Sequence, residues 1–301
     1  MNTKQLEYVL VLSREGSFSK AADTLNITQP SLSQYIKKIE KEIGLPLFDR
    51  TNGNVRLTDA GRVYLESGKQ ILDLEQQMLA KFQDIAEHKA GTLRIGTSPF
   101  RSASMMPTVA KYFHDIYPGM HLVIDEMETH ELIDGLEHGD FDFCLTMLPV
   151  DERIFAYEQI VEEELVLAVP ASADPLDSTP RPDRKYPAIN AHQLAGLAFV
   201  MITESQVMQK ALTNLCLDHT LNVNTAVVVK SLEAQIAMVE AGVGVALVPT
   251  GIERICNCDE VQFYSISQYL PKRKVVAMWR KDRYLSQAAR DLIDGMKNIK
   301  W

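Results

Sequence analysis

No stretch of the 301 residues reaches the ~18 uninterrupted apolar positions that a membrane-spanning helix needs. The first residues, Met-Asn-Thr-Lys-Gln-Leu-Glu, lack the apolar core of a signal peptide, so a cytoplasmic protein with no membrane partner is expected. Cysteine is scarce. Cys144, Cys216, Cys256 and Cys258 offer no C-x-x-C spacing, and His114, His121, His130 and His138 hold no helical i, i+4 pair, so no metal is expected. No nucleophile with its base and no phosphate loop in context is found, so neither a catalytic residue nor a cofactor is expected, and the protein is not read as an enzyme. Ala241-Gly242-Val243-Gly244-Val245 is glycine-rich, but it follows a predicted helix and precedes a strand, the reverse of the dinucleotide-binding order.

What is present is unevenly distributed. The net charge of −9 is wrong for a nucleic-acid binder taken whole, yet residues 1–62 hold nine Lys/Arg against seven Asp/Glu. That segment carries +2 and the remainder −11, a mildly basic head on an acidic body, and phosphate binding is a local affair. The excess is too small to decide function alone. Length also exceeds what one core usually supports, which favours a small domain joined to a larger one.

In the head, Leu6, Val9, Leu10 and Leu12 recur at near-helical spacing, and Gly16-Ser17 breaks the helix. A second helix follows, with Ser17 as its cap and Ala21, Ala22 and Leu25 on its inner face. After a turn at Asn26-Ile27, Thr28 is placed to cap a third helix with Pro30 in its first turn, where a missing N–H costs nothing. This helix should run to Ile43 and end at Gly44. Leu32, Ile36, Ile39 and Ile43 are expected inward, leaving Gln29, Ser31, Ser33, Gln34, Lys37 and Lys38 outside. Two short helices across a tight turn, the second opening with small polar residues, suit entry into a major groove: Gln pairs with adenine, Ser and Lys hold phosphate or guanine. A solvated polar face is the bland alternative.

Ala21-Ala22, Thr28-Gln29-Pro30-Ser31-Leu32-Ser33, Leu45-Pro46-Leu47-Phe48-Asp49-Arg50 and Leu57-Thr58-Asp59-Ala60-Gly61 together closely resemble the LysR-type transcriptional regulators. The resemblance is dense over residues 1–65 and continuous but looser beyond. It implies that the third helix reads the operator through Gln29, Pro30, Ser33, Gln34 and Lys37. Gln34 is a departure, standing where many members carry arginine. The resemblance also makes residues 50–57 a wing turning at Asn52-Gly53-Asn54, with Arg50 and Arg56 either touching phosphates or merely solubilising. Double-stranded operator DNA, RNA polymerase and further copies of the chain are the implied partners, with tetramers and both activation and repression among the family's behaviours.

Thr58 should cap a long helix reaching about His88, with stripes Leu65, Leu72, Leu79, Ala86 and Ile71, Met78, Ile85. So broad an apolar face must be covered, either by a second chain, as in LysR-type dimers, or by the protein's own second domain. Beyond a short hinge at 89–92, helices and strands alternate. Strands are expected at 93–97, 122–126 and 141–147 with helices at 105–116 and 131–138, then strands at 165–169, 198–202, 225–229 and 245–248 with helices from Gln206 and Leu232. A strand at 274–279 and a helix at 286–299 return to the first lobe. The βαβαβ run over 93–147 implies a parallel sheet.

The fold class is thus α/β with a winged helix-turn-helix head, a long linker helix and a two-lobed, periplasmic-binding-protein-like effector domain. Its parts are 1–58, 59–90 and 91–301, with lobe I at 91–162 and 267–301 and lobe II at 163–266. Such lobes bind ligands in the cleft beyond their strand ends. The resemblance matches Ser98, Ser102, Thr129, Thr146 and Thr203 to a small-molecule effector site, although each hydroxyl could instead cap a helix. Arg101 joins them on chemistry alone, as a bidentate partner for a carboxylate or phosphate or as one half of a surface ion pair. A periplasmic solute-binding protein would share this body but not the head, and a constitutive DNA-binding scaffold would share both.

Overall fold

The computed structural model describes residues 3–49, 55–86, 90–203, 207–266 and 268–301. Packing groups them into two compact units, Met1–His88 with Asp134–Asp140, and Lys89–Ile133 with Phe141–Trp301. No helix among the described residues is long and apolar enough to cross a membrane.

The first unit opens with three helices, α1 (Thr3–Glu15), α2 (Phe18–Thr24) and α3 (Gln29–Ile43). Gly16, at φ +60°, lets the chain leave α1 through a left-handed turn. Ser17 stands at the start of α2 but its side chain makes no capping bond, contrary to expectation. Thr28 does cap α3, its hydroxyl accepting from Ser31 N. Leu32, Ile36 and Ile39 are buried against Val9, Leu12, Ala21 and Ala22, each large side chain contributing about 1.5–3 kcal/mol. Ile43, expected inward, is exposed: it is the last helical residue, and Gly44 at φ +80° turns the chain away.

Strands β1 (Phe48–Asp49) and β2 (Arg56–Leu57) pair antiparallel, so the wing begins at Phe48, two residues before the expected Arg50. Arg50 and the Asn52-Gly53-Asn54 turn lie outside the described residues. Thr58 then caps α4 (Asp59–Ile85) by accepting from Gly61 N at 3.0 Å, while its hydroxyl donates to Pro46 O at 2.6 Å. A Cβ on Gly61 would stand 2.1 Å from Leu47 O, so only glycine permits this approach.

The second unit begins with β3 (Gly91–Thr97), α5 (Pro99–Ile116), β4 (Met120–Glu126), α6 (Thr129–Glu137), β5 (Phe143–Met147) and β6 (Phe155–Glu163). The chain then crosses to β7 (Leu165–Pro170), β8 (Ser178–Thr179), β9 (Ala188–Ile189), β10 (Ala198–Ile202), α7 (Val207–Asp218), β11 (Asn224–Val229), α8 (Leu232–Glu240), β12 (Ala246–Pro249) and β13 (Val261–Ser265). It returns through β14 (Arg273–Arg280) and ends with α9 (Gln287–Asn298).

Lobe I is a five-stranded sheet in the order β4-β3-β5-β14-β6, with α5 and α9 packed on it. Only β4, β3 and β5 are parallel; β14 runs antiparallel to both neighbours, because it enters from the other lobe. Lobe II holds β12-β7-β13-β9-β8, mostly antiparallel, and the parallel pair β10-β11. The parallel run expected over 93–147 is present as β3, β4 and β5, while β14 and the larger sheet of lobe II add antiparallel pairings. β6, β8, β9 and β13 were absent from the sequence expectation, and α5 starts six residues earlier than the expected residue 105.

Candidate DNA interface and effector cleft

The outward face of α3 holds the polar residues expected there. Thr28, Gln29, Pro30, Gln34, Lys37 and Lys38 are exposed, and Ser31 and Ser33 half-buried. Thr28 and Ser31 hydroxyls lie 2.8 Å apart, which settles the first turn. Arg56 is exposed on β2. Glu40, on the same helix, accepts from Leu47 N at 2.9 Å and Phe48 N at 3.2 Å, tying α3 to β1.

Along α4 the apolar face differs from the two expected stripes. Leu65 and Leu72 turn toward α1, lining a small crevice with Leu6 and Leu10. Ile71, Leu74, Met78, Leu79 and Phe82 are exposed, Leu74 by 64% and Phe82 by 57%. Leu74 and Phe82 were outside the expected stripes, yet with Ile71 and Met78 they follow the i, i+3, i+4 rule of one helix face.

Between the lobes lies a cavity of about 670 Å³. Ser98, Arg101, Thr129 and Thr203 line it; Ser102 and Thr146 are not among its lining residues. Ser98 is the cap of α5, accepting from Arg101 N, so its hydroxyl is already engaged. Thr129 is the first residue of α6, and Thr203 follows β10 with its N–H donating to Val229 O. Ser102 lies in the first turn of α5, and Thr146 is buried in β5 opposite Val276.

Arg101 is not a surface residue. Its side chain, with those of Glu163 and Arg273, exposes only 9, 8 and 13% respectively. Arg101 Nη2 and Nη1 reach Glu163 Oε1 and Ser98 Oγ at 3.4 Å each, and Arg273 Nη2 donates to the same Glu163 oxygen. Burial, aided by the neighbouring Arg101 charge, draws the Arg273 pKa below the usual arginine range, while Glu163 opposes that shift. The apolar walls come from Phe100, Ile133, Met147, Ile202, Met208 and Leu232. Among the described residues no three His, Cys, Asp or Glu gather as a metal site.

Two family descriptions match this architecture, "Bacterial regulatory helix-turn-helix protein, lysR family" over residues 3–62 and "LysR substrate binding domain" over residues 86–298. The chain belongs to the LysR family. It is a DNA-binding transcription regulator with an effector-binding domain. The HTH-type transcriptional regulator YcgK of Bacillus subtilis is 28% identical, the match covering 98% of this chain and 93% of YcgK. The DNA-binding transcriptional dual regulator OxyR of Escherichia coli is 26% identical over 98% of this chain and 97% of its own. Among solved structures, a full-length OxyR variant from Pseudomonas aeruginosa superposes with a TM-score of 0.69 at 25% identity, covering 100% of this chain and 96% of that one. CbnR, described as a LysR family transcriptional regulator, shares the fold, with TM-score 0.69 at 19% identity and coverage of 99% and 98%.

In this regulator, sequence reasoning missed Glu163, Arg273 and Glu233, which also line the cleft, and Glu40 in the head. Glu163 and Arg273 come from strands 110 residues apart and carry no local signal. The Arg101 side chain offered the one clue, since an arginine in a predicted pocket needs an acid nearby.

Proposed function

We propose that the regulator reads operator DNA through Thr28, Gln29, Pro30, Ser31, Ser33, Gln34, Lys37 and Lys38, with Arg50 and Arg56 on flanking phosphates. A small-molecule effector in the cleft of Ser98, Arg101, Thr129 and Thr203 changes operator affinity or DNA bending. Ser102 and Thr146, matched to the same site by the resemblance, do not line the cavity. The linker helix pairs with a second copy through its exposed apolar face, and two such dimers form a tetramer. The protein acts in the cytoplasm without catalysis, and its output reaches RNA polymerase as activation or repression.

The observation that carries this reading is the exposed polar face of α3 on a helix whose other face is fully committed to the head's core. Support comes from CbnR, whose full-length structure has been solved with its target DNA and resembles this chain with a TM-score of 0.67. Effector coupling is a population shift, in which the ligand binds one arrangement of the protein better than another.

A gel shift on the gene's own upstream DNA, at two salt concentrations, tests the reading. Gln29→Ala with Lys37→Ala should abolish sequence-preferring binding in a folded protein. Preference retained by the double variant overturns the assignment of α3, and no preference in the parent protein overturns the function.

A further inference from the structure

The cleft presents opposite unmet needs on its two walls. On the lobe I wall, two guanidiniums share one carboxylate, leaving an excess positive charge where little water reaches. Arg101 Nε, Arg273 Nε and Arg273 Nη1 are buried and have no partner among the described residues. Both Arg101 contacts, at 3.4 Å, lie at the long limit of a hydrogen bond, so this fork is free to take a better acceptor. On the lobe II wall, Glu233 in the first turn of α8 leaves Oε1 buried and likewise unpartnered. Lys230, Glu128 and His130 also line the cavity, but all three are exposed and solvated. Apolar side chains cover the span between the two walls.

We infer that the effector is a small carboxylate with an apolar body and a cationic or hydrogen-bond-donating group at its far end. The carboxylate accepts from Arg101 and Arg273, and the far donor faces Glu233. This rests on the cleft being the effector site. A ligand held at both ends contacts both lobes, so its binding energy favours their closed arrangement. An anion alone satisfies one wall only, and an amine alone meets an uncompensated positive charge at the other.

The test uses the full-length protein and four matched probes, ε-aminocaproate, caproate, hexylamine and caproamide, together with shorter and longer homologues of the first two. Calorimetric titration and thermal unfolding are read side by side. At the best chain length the amino acid should bind at least tenfold more tightly than the plain carboxylate, and the amine and amide should not titrate. Glu233→Gln should erase that preference while carboxylate binding persists, which separates a ligand contact from a folding defect. A preference unchanged in Glu233→Gln, or no amino acid outbinding its des-amino partner, overturns the proposal. Should hexylamine or caproamide alter operator affinity while the carboxylates do not, the charge assignment fails and the cleft reading stands. If none of the probes titrates the protein or alters operator affinity, the ligand assignment is overturned and the cleft reading, which names no ligand class, is judged by its own gel-shift test.

Discussion

Glu163 and Arg273 stand opposite each other in antiparallel register, one ending β6 and the other opening β14, where both strands pass between the lobes. The carboxylate takes hydrogen bonds from Arg273 and Arg101, so one acid holds two buried bases at the crossover.

Glu163→Gln therefore leaves two buried guanidiniums without a countercharge. Loss of one partner from a buried ion pair costs about 3–5 kcal/mol. Urea unfolding should show the midpoint of the effector domain falling accordingly, with the transition of the head unchanged. A loss of unfolding free energy below ~1 kcal/mol, the ceiling for exposed pairs, means that the triad is solvated.

Gly61→Ala places a methyl 2.1 Å from Leu47 O and 2.9 Å from a Leu57 methyl. The backbone on both sides of the wing must shift, at about 1–3 kcal/mol or more. Operator affinity should fall even though position 61 bears no DNA-reading side chain, and circular dichroism melting should show an earlier transition. A variant with parental melting and affinity contradicts this packing.

Leu74→Glu combined with Phe82→Glu puts charge on the exposed face of α4, where the two side chains are 64% and 57% exposed. Within one chain this costs little. Sedimentation should show the parental oligomer reduced to smaller species with helical content retained, whereas an unchanged sedimentation coefficient places the self-contact elsewhere.

Cys144 is fully buried in β5, and burial pushes its thiol up to about 12 from 9.0. A raised folded-state value means that the stability it confers is complete below pH ~9 and is lost as pH climbs toward 12, since the unfolded chain ionises first. The stability of Cys144→Ala should fall less steeply across that interval. Under native conditions at neutral pH a thiol reagent should reach the exposed Cys258 and spare Cys144.

Features set by near neighbours in the chain were legible from sequence. Thr28, Thr58 and Ser98 cap helices because a hydroxyl before a helical run has a ready N–H three residues on, and Gly44 marks the end of α3 because only glycine enters the left-handed region cheaply. Ser17 had the right position without the bond, a matter of side-chain rotation that no spacing reveals. On α4, counting sevens selected Leu65 and Leu72, which α1 claims, and passed over Leu74 and Phe82. Phe155–Glu163 lacks strict alternation, being half-covered on both faces, and so did not read as a strand. Four of the six expected cleft residues line the cavity, since strand ends and helix starts are local facts. Which acid neutralises Arg101 depends on sheet order.

Glu40 belongs to the same helix as Gln34 and Lys37, and its carboxylate holds the backbone of Leu47 and Phe48. Helix α3 and strand β1 are therefore clamped to each other by the chain itself, and the spacing between them is fixed before any partner arrives. Little conformational entropy remains to be lost there on association. With α3 in the groove as proposed, a site whose groove width deviates from that spacing would itself have to deform, and selection by DNA shape is expected beside any selection by base.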